Sequence, residues 1–528
     1  MLRILFISIL LILNAYSDAS VIPRPDVVEE KSGTLTLNLP CRVRVDDFRG
    51  SAVALQNLSD ALGGPAERVR EGERPQIVIQ RNPSAPKGEG YTLDVTEKGV
   101  IIRAADDAGL FYGVGTLVQL IDGQATKGVI PLVAINDSPR FAWRGYMLDE
   151  SRHFSGEAAA YRLLDAMARY KLNRFHWHLT DSPGWRIEIK KYPKLTEIGS
   201  RGNQTDGPKS APPQFYTQEQ IKKIVAYAKE RHIEVIPEID MPGHADAAVR
   251  SYPELSGGVE REGNPNPRPH FTFNPAKAEV FTFLEEVLKE VRGLFPDAGM
   301  IHIGADEVHF GWGNWAELAE VQELMKKEKL KDNREVETWF VRRMARVVNS
   351  LGVEAGGWDE IVGRDLAPKR TVVFWWRQDN RKALDQAIAG GYPVVLCPRR
   401  PCYFDFLQDG NHKEGRVMSG FNPIEDVYAF PDGLNLSEAD EKQVRGIQGC
   451  LWTETAKSQE RRDFLTWPRL IALAEGAWTA KQRKDYASFG ARFPREVEWL
   501  KAKGIQSWDP IARPPEVKDS GKRIEYLD

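Results

Sequence analysis

From Ser138-Pro139 onward, short strand-like runs alternate with amphipathic helices, and this alternation limits the possible folds more than any other feature. Eight runs read as strands: Arg144–Leu148, Arg174–Leu179, Glu234–Ile239, Met300–Gly304, Val353–Trp358, Thr371–Trp376, Pro393–Cys397 and Gly446–Trp452. Helical spacing of apolar residues marks Ala158–Tyr170, Gln218–Arg231, Ala278–Phe295, Glu335–Ser350 and Arg381–Ala389 between them, and Phe464–Gly476 after the last. Eight such units predict an α/β fold of the (β/α)8 TIM-barrel type. A doubly wound open sheet would use the same alternation, but no G-x-G-x-x-G or P-loop follows the first strand.

The segment before the barrel has another rhythm. Thr34–Leu39, Gln76–Gln80, Tyr91–Val95 and Val100–Arg103 read as short strands, and Gly109–Leu120 as a helix with Leu110, Val114, Leu117 and Val118 on one side. This predicts a small α+β N-terminal domain acting as a structural companion. At the start, Arg3 precedes the apolar run Ile4–Leu13 and the small residues Ala15, Ser17 and Ala19, the pattern of a secretory signal peptide. The expected division is 1–20 signal, 21–137 small domain, 138–505 barrel and 506–528 polar tail, with the mature protein exported to a periplasmic or extracellular space. No later stretch approaches the roughly 20 apolar residues of a membrane helix, so no membrane association is expected after signal removal. With 72 basic against 75 acidic side chains, net −3, there is no basic field for nucleic acid. Cys41, Cys397, Cys402 and Cys450 are too few for a disulfide scaffold. A Cys397–Cys402 bridge and buried free thiols both remain open.

Nearly every strand ends in a polar residue: Asp149, Asp181, Asp240, Asp306-Glu307, Asp359-Glu360, Arg377, Tyr403 with Asp405, and Glu454. A single Asp after a strand is usually a turn former or helix cap. In a barrel, however, all these ends share the face where active sites sit. The most informative segment is His302-Ile303-Gly304-Ala305-Asp306-Glu307. Adjacent carboxylates on a regular strand point to opposite faces, unlike the facing pair of conventional retaining glycosidases, about 5–5.5 Å apart, or inverting ones, about 6.5–9.5 Å. At a strand end the backbone can turn and aim both at one substrate, and an ionised Asp306 would favour the protonated form of Glu307.

Two rival readings arise from the same residues. His176 and His178 share one strand face, and eight of the nine histidines lie between His153 and His309, which suggests a metal-dependent hydrolase. That pair lies on the second strand, and the fifth and sixth strands carry no histidine, which favours hydrogen-bonding histidines and no metal or other cofactor. A non-catalytic sugar-binding barrel would keep aromatic and arginine contacts but lose the acid, whereas both Asp306 and Glu307 are present.

The ordered motifs Leu148-Asp149-Glu150-Ser151-Arg152-His153-Phe154, His176-Trp177-His178-Leu179-Thr180-Asp181, Gly184-Trp185-Arg186 and Pro237-Glu238-Ile239-Asp240-Met241-Pro242-Gly243-His244 resemble the β-N-acetylhexosaminidases of glycoside hydrolase family 20. His302 to Glu307, Gly357-Trp358-Asp359-Glu360, Tyr403-Phe404-Asp405 and Trp452-Thr453-Glu454 continue the likeness, which covers about Arg144 to Trp478. The resemblance implies exo-hydrolysis of terminal β-linked GlcNAc, or GalNAc, from glycans by substrate-assisted retention. It implies Glu307 as acid/base, Asp306 orienting the 2-acetamido group and Tyr403 donating to its carbonyl oxygen. Arg152, Asp405 and Glu454 match residues gripping sugar hydroxyls, and Trp358, Trp376 and Trp452 match the aromatic walls. Asp181, Asp240 and His244 match residues supporting the acid/base, while Asp359 and Glu360 read as supporting or capping residues. Trp375 and Trp376 should face opposite ways, so one of them packs.

Overall fold

The structure, a computed structural model, describes residues 21–70, 72–202, 210–259, 270–417, 420–510, 512–518 and 523–525. The expected signal segment 1–20 lies outside them. Strands β1 (Val27–Thr36), β2 (Cys41–Val45), β3 (Ala66–Arg68), β4 (Ile77–Arg81), β5 (Tyr91–Thr96), β6 (Gly99–Ala104) and β7 (Val129–Asp137) form a seven-stranded sheet of order β1-β7-β5-β6-β4-β2-β3. Helices α1 (Ser51–Leu62) and α2 (Asp107–Asp122) bury Leu58, Leu62, Leu110 and Leu117 against it. Asp106 caps α2 by accepting from the Gly109 N–H at 2.8 Å. β4 to β6 and α2 lie close to the ranges read from the sequence. β1 begins well before Thr34 because Val27–Glu30 pair with β7 ahead of an irregularity in register. A charged, exposed edge strand with such a bulge leaves little alternation to read.

The barrel strands are β8 (Trp143–Asp149), β9 (Arg174–His178), β10 (Glu234–Glu238), β11 (Met300–His302), β12 (Glu354–Trp358), β13 (Thr371–Trp375), β14 (Val394–Leu396) and β16 (Val444–Leu451), with a short β15 (Gly415–Val417) outside the barrel. All eight coincide with the expected strands. Parallel pairing of β16 with β8 closes the ring, which excludes the open sheet. β8 is buried along its whole length, as expected of a strand with helices outside and a filled interior. Alternation sorts the side chains. Tyr146, Trp177, Ile301, Trp375 and Leu396 pack outward under the helices, whereas Met147, Ile236, Met300, Trp358, Phe374 and Cys450 fill the interior. Trp376, the neighbour of Trp375, packs against that interior group, so the pair does split between the two faces.

Trp478 joins the two units. It packs with the N-terminal core, donates to Asp137 Oδ1 at 2.9 Å and lies under the Arg144 guanidinium at 4.9 Å. The helix Tyr486–Ala502 follows the barrel and fixes Glu496 between Arg169 (2.8 Å) and the Tyr170 hydroxyl (2.8 Å). Within the stretch read as a polar tail, β17 (Arg523–Glu525) pairs in parallel with β15 in a separate two-stranded sheet. All four cysteines are buried free thiols, so Cys397 and Cys402 are not bridged.

Candidate active site

The carboxyl pair owes its geometry to the end of β11. The strand stops at His302, and Gly304, Ala305 and Glu307 then take left-handed φ values of +64°, +69° and +54°. Only glycine fits position 304, because a Cβ there would meet Asp240 Oδ1 at 1.9 Å. Non-glycine residues in this region are strained and are found where function over-determines the backbone. The turn brings both carboxylates to one imidazole: His244 Nε2 lies 3.5 Å from Asp306 Oδ2 and 3.6 Å from Glu307 Oε2. Thus the neighbours of a sequence dipeptide reach one site instead of opposite faces. Glu307 keeps 30% of its side chain exposed, whereas Asp306 keeps 12%. Burial, with a smaller push from the Glu307 charge and against the pull of His244, raises the Asp306 carboxyl to about 6.

Behind His244 runs a buried polar chain. Its Nδ1 pairs with Asp181 Oδ1 at 2.9 Å, and Asp181 Oδ2 meets Arg152 at 2.7 Å and His178 Nε2 at 3.0 Å. Burial opposes the Asp181 charge, but Arg152 and His244 hold its carboxyl well below the usual range. Burial likewise opposes charge on His244, yet Asp181 and Asp306 lift it well above the usual imidazole value. His178 continues the chain to Glu238 at 2.5 Å. Glu238 also meets His176 (2.9 Å) and His302 (2.9 Å) and accepts from the Trp358 indole N–H (2.9 Å).

These side chains include three groupings with ligand-type atoms within 4.8 Å of one another: His176–Glu238–His302, His178–Asp181–Asp240 and Asp240–His244–Asp306. In the first, both Glu238 oxygens already have hydrogen-bond partners, His178 Nδ1 on Oε2 and the Trp358 indole N–H on Oε1. The two histidines of the i, i+2 pair differ in charge. Burial pushes His176 down to about 4, whereas Glu238 and Asp181 overcome burial and hold His178 well above its usual value. His178 is hydrogen-bonded to Glu238 and Asp181, and His176 Nδ1 to the Gln448 amide.

The opposite wall is aromatic. Trp376 and Tyr403 stack with planes 6° apart at 6.3 Å, and Trp452 stands edge-on to Tyr403 at 6.0 Å and beside Trp358 at 5.8 Å. Trp358 is only 1% exposed, so it backs the pocket more than it faces outward. The Trp376 indole N–H donates to Glu360 Oε2 at 2.9 Å, and Arg377 pairs with Asp359, so this second acidic dipeptide holds the wall in place. At the far rim, Arg152 lies over Trp452 at 5.0 Å and 3.8 Å from Glu454 Oε1, with Asp405 nearby through Arg416. Burial, with help from Glu454 and against Arg416, pushes Asp405 up to about 7. Asp306 Oδ1, Asp405 Oδ1 and Glu454 Oε2 are buried without a hydrogen-bond donor among the described residues. Buried acceptors of this kind suit a ligand rich in O–H and N–H donors.

Two family models match the chain: "Glycosyl hydrolase family 20, catalytic domain" over residues 141–481 and "Glycosyl hydrolase family 20, domain 2" over 18–138. The chain belongs to glycoside hydrolase family 20. It is 35% identical to a beta-hexosaminidase of Porphyromonas gingivalis over 94% of its own length and 65% of the relative's. The chain thus spans slightly less than two thirds of that protein. It is also 35% identical to a Vibrio furnissii beta-hexosaminidase, over 86% of this chain and 76% of that one. Among solved structures it resembles a family 20 exo beta-N-acetylglucosaminidase of Vibrio harveyi in complex with N-acetylglucosamine, at TM-score 0.85 and 33% identity over 93% and 79% of the two chains. A Streptomyces plicatus N-acetyl-beta-hexosaminidase in complex with Thio-NAglucal gives TM-score 0.80 and 30% identity, over 95% and 98%.

In this family 20 chain the residues singled out from motifs gather at one barrel mouth: Asp306, Glu307, His244, Asp181 and Arg152 on one side, Trp376, Tyr403, Trp452, Asp405 and Glu454 on the other. Two participants were assigned no role from the sequence. Glu238 had a legible signal: it shares the inward face of β10 with Ile236, a charge in an apolar register. Arg416 had none, because its part depends on a short strand that meets the site only through tertiary pairing.

Proposed function

We propose that this chain is an exo-acting β-N-acetylhexosaminidase that releases terminal β-linked GlcNAc, and GalNAc as the C4 epimer, by substrate-assisted retention. One observation carries the reading: Asp306 and Glu307 flank one charged histidine at the mouth of a pocket walled by Trp376, Tyr403 and Trp452. Glu307, the more exposed of the pair, gives its proton to the leaving oxygen and later takes one from water. The acetamido oxygen attacks C1, so no enzyme carboxylate is required across from Glu307. Asp306 accepts the acetamide N–H and balances the positive charge that grows on the cyclising group, and the Tyr403 hydroxyl donates to the acetamido oxygen. His244, held by Asp181, fixes both carboxylates. Trp358 and Trp452 close the pocket around the acetamido methyl and the ring. Arg152, Asp405 and Glu454 grip hydroxyls of the non-reducing end, which favours exo action.

The names of the relatives and the bound N-acetylglucosamine of the Vibrio harveyi protein support the substrate class. The basic start and apolar run at Arg3–Leu13 support export to a periplasmic or extracellular space. No helix of the described residues is long and apolar enough to cross a membrane. The test compares an aryl β-GlcNAc with the matching aryl β-glucoside, together with a thiazoline mimic of the cyclised intermediate. Hydrolysis of the first substrate alone and tight inhibition by the mimic are expected. Efficient glucoside cleavage would overturn the substrate-assisted mechanism.

A further inference from the structure

Arg416 occupies the hydroxyl-gripping end of the pocket, although it belongs to none of the barrel strands. Its Nε lies 2.8 Å from Asp405 Oδ2, its Nη2 pairs with Glu454 Oε1, and only 9% of its side chain is exposed. The backbone locks it to the same stretch: Arg416 N–H donates to Asp405 O and Leu407 N–H to Arg416 O, each at 3.0 Å. Gly415 makes this approach feasible, since φ is +139° and a Cβ would sit 2.5 Å from Leu407 Cδ2 and 3.0 Å from Asp405 O.

The other edge of β15 is held by the C-terminal stretch, through the pairs Gly415↔Arg523, Arg416↔Ile524 and Val417↔Glu525. Glu516 accepts from the backbone N–H groups of Lys413 (2.7 Å) and Glu414 (2.8 Å) and meets Arg461 at 3.2 Å. Arg461 in turn donates to Glu414 O and Val517 O. Residues 512–518 and 523–525 therefore act as a strap that holds β15 beside Asp405.

We propose that Arg416, seated by this strap, is the positioning residue that sets the terminal-sugar grip and with it the discrimination between sugar epimers. The proposal rests on the reading of Asp405 and Glu454 as hydroxyl acceptors. Two carboxylates brought to one rim repel each other, and one planar guanidinium with several donors can bridge both in a fixed geometry. Lysine, a single point charge, cannot reproduce that bridge. Among the described residues Arg416 pairs with Asp405 and Glu454 at the hydroxyl-gripping end, so its effect falls on binding more than on the chemical step.

The test measures kcat and KM of the full chain on aryl β-GlcNAc and aryl β-GalNAc for Arg416→Met, Arg416→Lys and Glu516→Gln. Loss of a charge-assisted bridge in Arg416→Met is expected to raise KM about tenfold, change kcat less than about threefold, and move the GlcNAc/GalNAc ratio of kcat/KM by about fivefold or more. Arg416→Lys should recover only part of this. Glu516→Gln, outside the pocket, should shift KM the same way by about threefold. KM values and epimer ratios within about twofold of wild type for Arg416→Met overturn the proposal. If that variant does not fold, unchanged values in Arg416→Lys and Glu516→Gln overturn it equally. Asp405→Asn and Glu454→Gln are run alongside. If they raise KM while the Arg416 variants do not, the proposal alone fails; if they too leave KM unchanged, the hydroxyl-gripping assignment fails.

Discussion

Replacing Asp306 by asparagine should make the protein more stable while removing most of its activity. The folded protein holds this carboxyl at about 6 against an ordinary value of 3.8, mainly because burial penalises its charge. At about 1.4 kcal/mol per pH unit, a displacement of about two units makes ionised Asp306 roughly 3 kcal/mol costlier in the folded than in the unfolded chain. The folded value lies above the unfolded one, so the cost is fully present above about 6 and vanishes below 3.8, where both states carry the proton. Asp306→Asn removes the cost: it should gain up to about 3 kcal/mol in urea unfolding near pH 7.5, and the gain should close as pH falls to about 3.5. Over the same span, kcat/KM of the wild type should fall as Asp306 takes up its proton near 6, because a neutral acid cannot balance the cyclising group's charge. The variant should lose about 10²–10³-fold in kcat near neutrality, the scale of losing a charge-stabilising group in a reaction pocket. Equal or lower stability of the variant at neutral pH, or a gain that persists on acidification, would refute the burial argument. A stabilised variant with full activity would refute the role.

Three further outcomes are expected. Glu307→Gln should cut hydrolysis of an aryl β-GlcNAc about 10²–10⁴-fold, with the smallest loss on the best leaving groups; a loss independent of the leaving group would count against proton donation. Glu238→Gln leaves charged His178 with Asp181 but without its nearer buried counter-charge and should cost about 3 kcal/mol in urea unfolding, so a loss under about 1 kcal/mol would mean the cluster is not an ionic anchor. Prolonged EDTA treatment should leave turnover unchanged; loss of activity restored by a divalent cation would assign a metal to the histidine–carboxylate groupings and reverse the hydrogen-bonded reading.

The barrel was legible because its signal is local and repeated. Buried parallel strands such as Thr371–Trp375 and Val394–Leu396 are short apolar runs between helices, and every strand ended close to where the pattern ended. The polar residues after those strands were legible for the same reason, since closure of the ring must bring all C-terminal ends to one face. The edge strand β1 and the returning strand β17 were not, because exposed or short strands carry no two-residue alternation.

What the sequence determined by itself was the fold class, the face of the barrel that carries the site and the chemical types gathered there. The tertiary structure decided how those groups are charged and aimed. The left-handed turn at Gly304, Ala305 and Glu307 directs neighbouring carboxylates to a common imidazole, against the rule for a regular strand. Burial and distant partners give His176 and His178 different protonation states although they sit two residues apart on one strand. Arg416 reaches Asp405 and Glu454 only because segments far apart in the chain pair there. Periodicity is fixed by neighbours along the chain, whereas charge state and aim depend on desolvation and on groups brought close only by folding.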